Sequence, residues 1–131
     1  RKSGSPIEII YNSGDPFAFQ TSKILEFEEI LNTPEVEITD FTVADFNSDG
    51  FPDVACLDKS TSSLVVLLNN GIDNKNPSSL NKFKSESYQL KSGIPRAIES
   101  GDLNGDSLPE IILTTTEPDQ VIIFINNAKK K

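Results

Sequence analysis

Apolar residues along the chain fall in short runs rich in Val, Ile, Leu, Phe and Thr, and each run is cut off by Gly, Pro, Asn or Asp. That is the pattern of strands and turns, and no stretch carries a helical period. One run, Ile7-Glu8-Ile9-Ile10-Tyr11-Asn12-Ser13-Gly14, returns as Leu64-Val65-Val66-Leu67-Leu68-Asn69-Asn70-Gly71 and again as Val121-Ile122-Ile123-Phe124-Ile125-Asn126-Asn127-Ala128, and the spacing is constant (64 − 7 = 121 − 64 = 57). A second stretch, Asp45-Phe46-Asn47-Ser48-Asp49-Gly50-Phe51-Pro52-Asp53, returns at the same spacing as Asp102-Leu103-Asn104-Gly105-Asp106-Ser107-Leu108-Pro109-Glu110. Two unrelated stretches sharing one period identify an internal repeat.

The period divides the chain into an N-terminal segment, 1–14, that ends a preceding unit, a first repeat over 15–71, and a second repeat over 72–131 that finishes in the basic tail Lys129-Lys130-Lys131. Four strands are expected in each repeat, near 23–29, 36–44, 53–57 and 64–68 in the first and near 83–90, 95–101, 111–115 and 121–125 in the second. A leading strand covers 7–11. Four-stranded antiparallel units at a fixed period predict an all-β fold of β-propeller blades, because one twisted blade cannot bury both of its faces without neighbours. Two blades and a spare strand are expected to belong to a larger propeller. The runs 64–68 and 121–125 are almost wholly apolar, which predicts strands covered on both faces. The polar segment 71–81 reads as a long exposed loop.

Composition narrows the chemistry. Histidine, methionine and tryptophan are absent and Cys56 is the one cysteine, which removes zinc and haem ligand sets, His-containing triads and any internal disulfide. Cys56 aligns with Leu113 in the repeat and reads as a small core residue. The net charge of −8 on 131 residues repels phosphate backbones, so nucleic acid is not an expected partner. No apolar run is long enough for a membrane span. The chain opens at Arg1, as a processed end or the interior of a longer product would.

The acidic stretches carry the candidate chemistry. Asp45-x-Asn47-x-Asp49-Gly50-x-x-Asp53 sets oxygen side chains at positions 1, 3, 5 and 9 of one loop, with Gly50 suited to a positive φ. Asp45, Asn47, Asp49 and Asp53, with the Phe51 carbonyl, could surround a hard cation of calcium's size, whereas magnesium demands stricter octahedral geometry. A hydrogen-bonded acidic turn without metal is the alternative. An EF-hand is excluded because its position 12 would be Cys56 or Leu113 and because the flanks read as strands.

These loops and their spacing resemble the FG-GAP or VCBS-type repeat of integrin α-subunit propellers and of secreted and surface propeller proteins, over most of the chain from Ile7 to Asn127. The resemblance implies calcium on one rim of the propeller, held by Asp45, Asn47, Asp49, the Phe51 carbonyl and Asp53. In the second loop it implies Asp102, Asn104, Asp106, the Leu108 carbonyl and Glu110. Ser107 stands where glycine is expected and Glu110 where aspartate is, so the second site is expected to be the weaker. The implied function is a non-enzymatic, calcium-stabilised propeller segment of an extracellular or cell-surface protein, acting in adhesion, recognition or assembly. Its partners would be other blades, in the same or another chain, and a protein or carbohydrate ligand. A non-catalytic propeller part of an extracellular enzyme, or a structural subunit of a larger complex, stays open.

Overall fold

A computed structural model of the chain describes the backbone of residues 7–12 and 19–25 and all atoms of residues 36–69 and 83–128. Nine strands follow in chain order: β1 (Ile7–Asn12), β2 (Phe19–Leu25), β3 (Ile38–Ala44), β4 (Asp53–Asp58), β5 (Ser63–Leu68), β6 (Lys84–Gln89), β7 (Ile94–Gly101), β8 (Glu110–Thr116) and β9 (Gln120–Phe124). The described residues form no helix. Every pairing is antiparallel, in three sheets ordered β1-β2, β3-β4-β5-β6 and β7-β8-β9.

The all-β architecture expected from the pattern is present, but the hydrogen-bonded sheet begins one strand later than the sequence unit. Strand β6, placed by the period in the second repeat, pairs with β5 of the first, Leu64 opposite Tyr88 and Val66 opposite Glu86. Among the described residues the last sheet therefore has three strands where four were expected. A repeat fixes the period but not its phase, and an outer strand can be written at either end of a unit. The second strand begins at Phe19, earlier than expected, while the loop 71–81 and the lysine tail lie outside the described residues.

The two larger sheets stack. Ala55 and Leu57 of β4 and Leu64 and Val66 of β5 are buried against Ile98, Ile111 and Leu113 of the last sheet, with Ile122 and Phe124 packed at the margin. The opposite face of β4 and β5 carries a second buried group, Cys56, Val65 and Leu67 with Val36. Both faces of β5 are thus covered, as its apolar run predicts. The equivalent β9 run differs: Val121, Ile123 and Ile125 are 67%, 49% and 55% exposed. These positions repeat Leu64, Val66 and Leu68, whose face is covered by the next sheet, and nothing among the described residues takes that place over β9.

Strands β3 and β7 are joined across the sheets by polar contacts. Ile98 N–H donates to Asp40 Oδ2 at 2.9 Å, and the Thr42 and Ser100 hydroxyls lie 2.8 Å apart. Pairing these groups removes the penalty of leaving a backbone donor unmet inside a packed interface.

Candidate metal-binding loops

Each acidic stretch joins the first two strands of its sheet, the first loop linking β3 to β4 and the second linking β7 to β8. Backbone donors drive the local fold. In the first loop Asp45 accepts the N–H groups of Asp49 at 3.2 Å and Gly50 at 2.8 Å, and Asp49 Oδ1 accepts from Phe51 N–H at 2.9 Å. In the second, Asp102 accepts from Gly105 at 2.8 Å, Asp106 at 3.2 Å and Ser107 at 2.8 Å, and Asp106 Oδ1 accepts from Leu108 N–H at 2.9 Å. Such side-chain acceptors let the backbone turn tightly without unpaired donors.

The closing carboxylate of each loop is fully buried and clamps two backbone segments. Asp53 accepts Phe46 N–H and Asn69 N–H, both at 2.8 Å; Glu110 accepts Leu103 N–H at 2.9 Å and Asn126 N–H at 3.3 Å. Glu110 thus does with a longer side chain what Asp53 does. Asn69 and Asn126 complete the pattern by donating through Nδ2 to the carbonyls of Pro52 and Pro109, each at 3.0 Å. Sequence reasoning passed over these two asparagines, although Asn-Asn pairs end the second and third copies of the repeated strand.

Left-handed backbone occurs at two points per loop, Ser48 (φ 58°) and Gly50 (φ 88°) in the first and Gly105 (φ 78°) and Ser107 (φ 69°) in the second. Position 4 of the loop is left-handed as well as position 6, and glycine and serine simply exchange places. The cost of about 1–2 kcal/mol for a side chain in this conformation therefore falls once on each loop. The strain argument for a weaker second site cancels.

Electrostatics distinguish the loops. Burial holds the Asp53 carboxyl above its usual range, with Asp49 and Asp45 adding to the rise, although the N–H groups of Asn69 and Phe46 oppose it. The Asp102 carboxyl sits below the usual range, mainly because of the Ser107 N–H. Asp102, Asp106 and Glu110 each present a carboxylate oxygen within 4.8 Å of the others, and among the described residues this is the group of three acids gathered in that way. Asp45, Asp49 and Asp53 are not so drawn together. In the first loop, however, Asn47 Oδ1 is buried with no hydrogen-bond partner, while the matching Asn104 Oδ1 accepts from Asp106 N–H at 3.2 Å. Phe51 is exposed and Leu108 buried.

The donor set fits a hard cation: it is all oxygen, mostly anionic, and in one loop already convergent. The carboxylate oxygens that accept N–H groups keep a second lone pair for a metal. Stacked antiparallel sheets at a fixed period, each with an acidic loop after its first strand, define a protein of propeller-like blades. The chain belongs to the FG-GAP-like repeat family, whose pattern matches residues 45–113, from the first acid of the first loop through Leu113 in β8. No curated protein and no solved structure matches it.

Proposed function

We propose that this chain is a calcium-binding β-propeller segment of a secreted or cell-surface protein, working in adhesion, recognition or assembly rather than catalysis. The convergence of Asp102, Asp106 and Glu110 within 4.8 Å carries the reading. Three carboxylates so close repel one another, and a divalent cation removes that repulsion while gaining oxygen bonds. Calcium suits the loop because it accepts six to eight oxygens in flexible geometry. Its role is structural: bound to the folded state alone, it stabilises that state by mass action. Exposed sites of this kind fill at extracellular calcium levels, which supports an extracellular home. Further blades, in this or another chain, and a protein or carbohydrate ligand are the partners that such a scaffold serves.

Thermal unfolding in millimolar calcium and in excess chelator tests the reading. Calcium is expected to raise the Tm of the chain. Asp106→Asn and Asp49→Asn are each expected to remove part of that rise, in comparable shares because each loop has one serine and one glycine in left-handed positions. A Tm indifferent to calcium overturns the proposal.

A further inference from the structure

The two acidic loops belong to different sheets, yet one run of hydrogen bonds leads from the closing carboxylate of the first to that of the second. Asp53 Oδ2 accepts Phe46 N–H at 2.8 Å, the Phe46 carbonyl accepts from Asn126 Nδ2 at 2.8 Å, and Asn126 N–H donates to Glu110 Oε2 at 3.3 Å. Asp53 and Glu110 are both fully buried, so neither end of this run can exchange its bonds for water while the fold stays closed. At its centre stands one residue, Asn126, just beyond the end of β9, whose amide also donates to the Pro109 carbonyl at 3.0 Å.

The bridge meets each loop at a candidate ligand. The Phe46 carbonyl is part of the peptide that leads into Asn47, and Asn47 Oδ1 is the buried oxygen without a hydrogen-bond partner. Asn126 therefore fixes the peptide that carries this oxygen. On the other side Asn126 N–H holds Glu110 together with Leu103 N–H, which donates to Oε1 at 2.9 Å, and Glu110 is one of the three acids gathered within 4.8 Å. With the Asn126 bridge closed, both loops share a fixed frame; with it open, each loses a fixed point. Ordering that is done once for two sites makes the second binding step easier than the first.

We propose that the two loops bind calcium with positive coupling and that Asn126 is the positioning residue that transmits it. This deepens the calcium reading above and rests on it. A filled second loop holds Glu110 and with it the Asn126 bridge, which sets the Phe46–Asn47 peptide in place in the first loop. The reverse path has the same strength, because coupling between two binding sites is reciprocal. The sign is diagnostic: two cations acting on each other through space repel, so an electrostatic link alone would weaken the second binding step.

Calcium titrations followed by the amide resonances of Gly50 and Gly105 read the two loops separately. Asp49→Asn and Asp106→Asn each empty one loop while keeping the side-chain oxygen that accepts Phe51 N–H or Leu108 N–H. In Asp49→Asn, Gly105 is expected to titrate at about fivefold higher calcium than in the native chain, and in Asp106→Asn the Gly50 midpoint should rise by a similar factor. The Asn126 side-chain amide protons should exchange more slowly when either loop alone is filled. Asn126→Ala should leave both loops titrating but reduce the effect of Asp49→Asn on Gly105 to less than about twofold. A Gly105 midpoint unmoved or lowered by Asp49→Asn, an Asn126 amide that responds to one loop only, or a fivefold effect that persists in Asn126→Ala each overturns the coupling and leaves calcium binding standing. Gly50 and Gly105 resonances that ignore calcium altogether overturn the calcium reading and the coupling with it.

Discussion

The side-chain amide of Asn126 donates to the Phe46 carbonyl at 2.8 Å, joining positions 80 residues apart and tying the strand end of one sheet to the acidic loop of its neighbour. The same amide reaches the Pro109 carbonyl at 3.0 Å, while Asn126 Oδ1 accepts from Ala128 N–H at 2.9 Å. One side chain therefore satisfies backbone groups in three segments. Asn126→Ala is expected to destabilise the chain by about 1–3 kcal/mol, because the partner groups lose their bonds in a partly buried site. Asn126→Asp keeps the Ala128 contact but replaces the donor with an acceptor facing two carbonyls, so it should be no milder. Urea denaturation of both variants checks this, and an effect below a few tenths of a kcal/mol would be inconsistent with it.

Three glycines separate backbone strain from packing. A methyl group added at Gly50 or Gly105 meets nothing within 4 Å, yet both residues have positive φ, at 88° and 78°. Alanine there bears the conformational cost alone, about 1–2 kcal/mol. Gly93, at φ 92°, differs because a Cβ would come within 2.5 Å of Thr115 Oγ1 and 2.7 Å of Thr115 Cβ. Thr115 is buried and its hydroxyl donates to the Pro118 carbonyl at 2.9 Å, so it cannot move aside cheaply. Gly50→Ala and Gly105→Ala should cost equal amounts and Gly93→Ala distinctly more, measured by chemical denaturation. A Gly93→Ala chain as stable as the other two would refute the packing argument.

The period, the strand positions and the acidic loops were legible because each leaves a local mark: alternation, turn residues and repeated oxygen donors. The phase of the sheets was not. Strand β6 reads Lys-Ser-Glu-Ser-Tyr-Gln, polar enough to belong to either neighbour, and its pairing with β5 is settled by tertiary packing. The second left-handed position in each loop was hidden for a similar reason. Ser48 and Gly105 do not look alike in sequence, and their equivalence shows only through their backbone angles. The exposure of β9 depends on what stands beside it, which its own apolar residues cannot report.

Cys56 is expected to be chemically silent. It lies at the centre of β4 with no exposed surface, and burial pushes its thiol up to about 12, with Asp58 adding to the rise. A thiolate is the reactive form, so the native chain should resist a disulfide or maleimide probe near neutral pH. Labelling should appear only with unfolding, and its rate should rise with denaturant alongside the loss of β signal. Prompt reaction of the native chain would contradict the burial of β4.

Tyr88 supplies a pH dependence with a definite sign. Burial raises its phenol above the usual value, and the hydrogen bond from Tyr88 Oη to Glu86 Oε2 at 2.9 Å raises it further, because the carboxylate accepts the proton that ionisation would remove. A pKa raised in the folded state means that the folded chain holds this proton more tightly than the unfolded one. The stabilisation is therefore complete below the unfolded value near 10 and is lost as pH climbs through the folded value. The residue is 43% exposed, so solvent screening keeps the contribution modest. Phenolate absorbance should show Tyr88 titrating late, and Glu86→Gln should return part of the shift while leaving the part due to burial. If Glu86→Gln leaves the titration where it was, the hydrogen bond between these two side chains does not hold the phenol in solution.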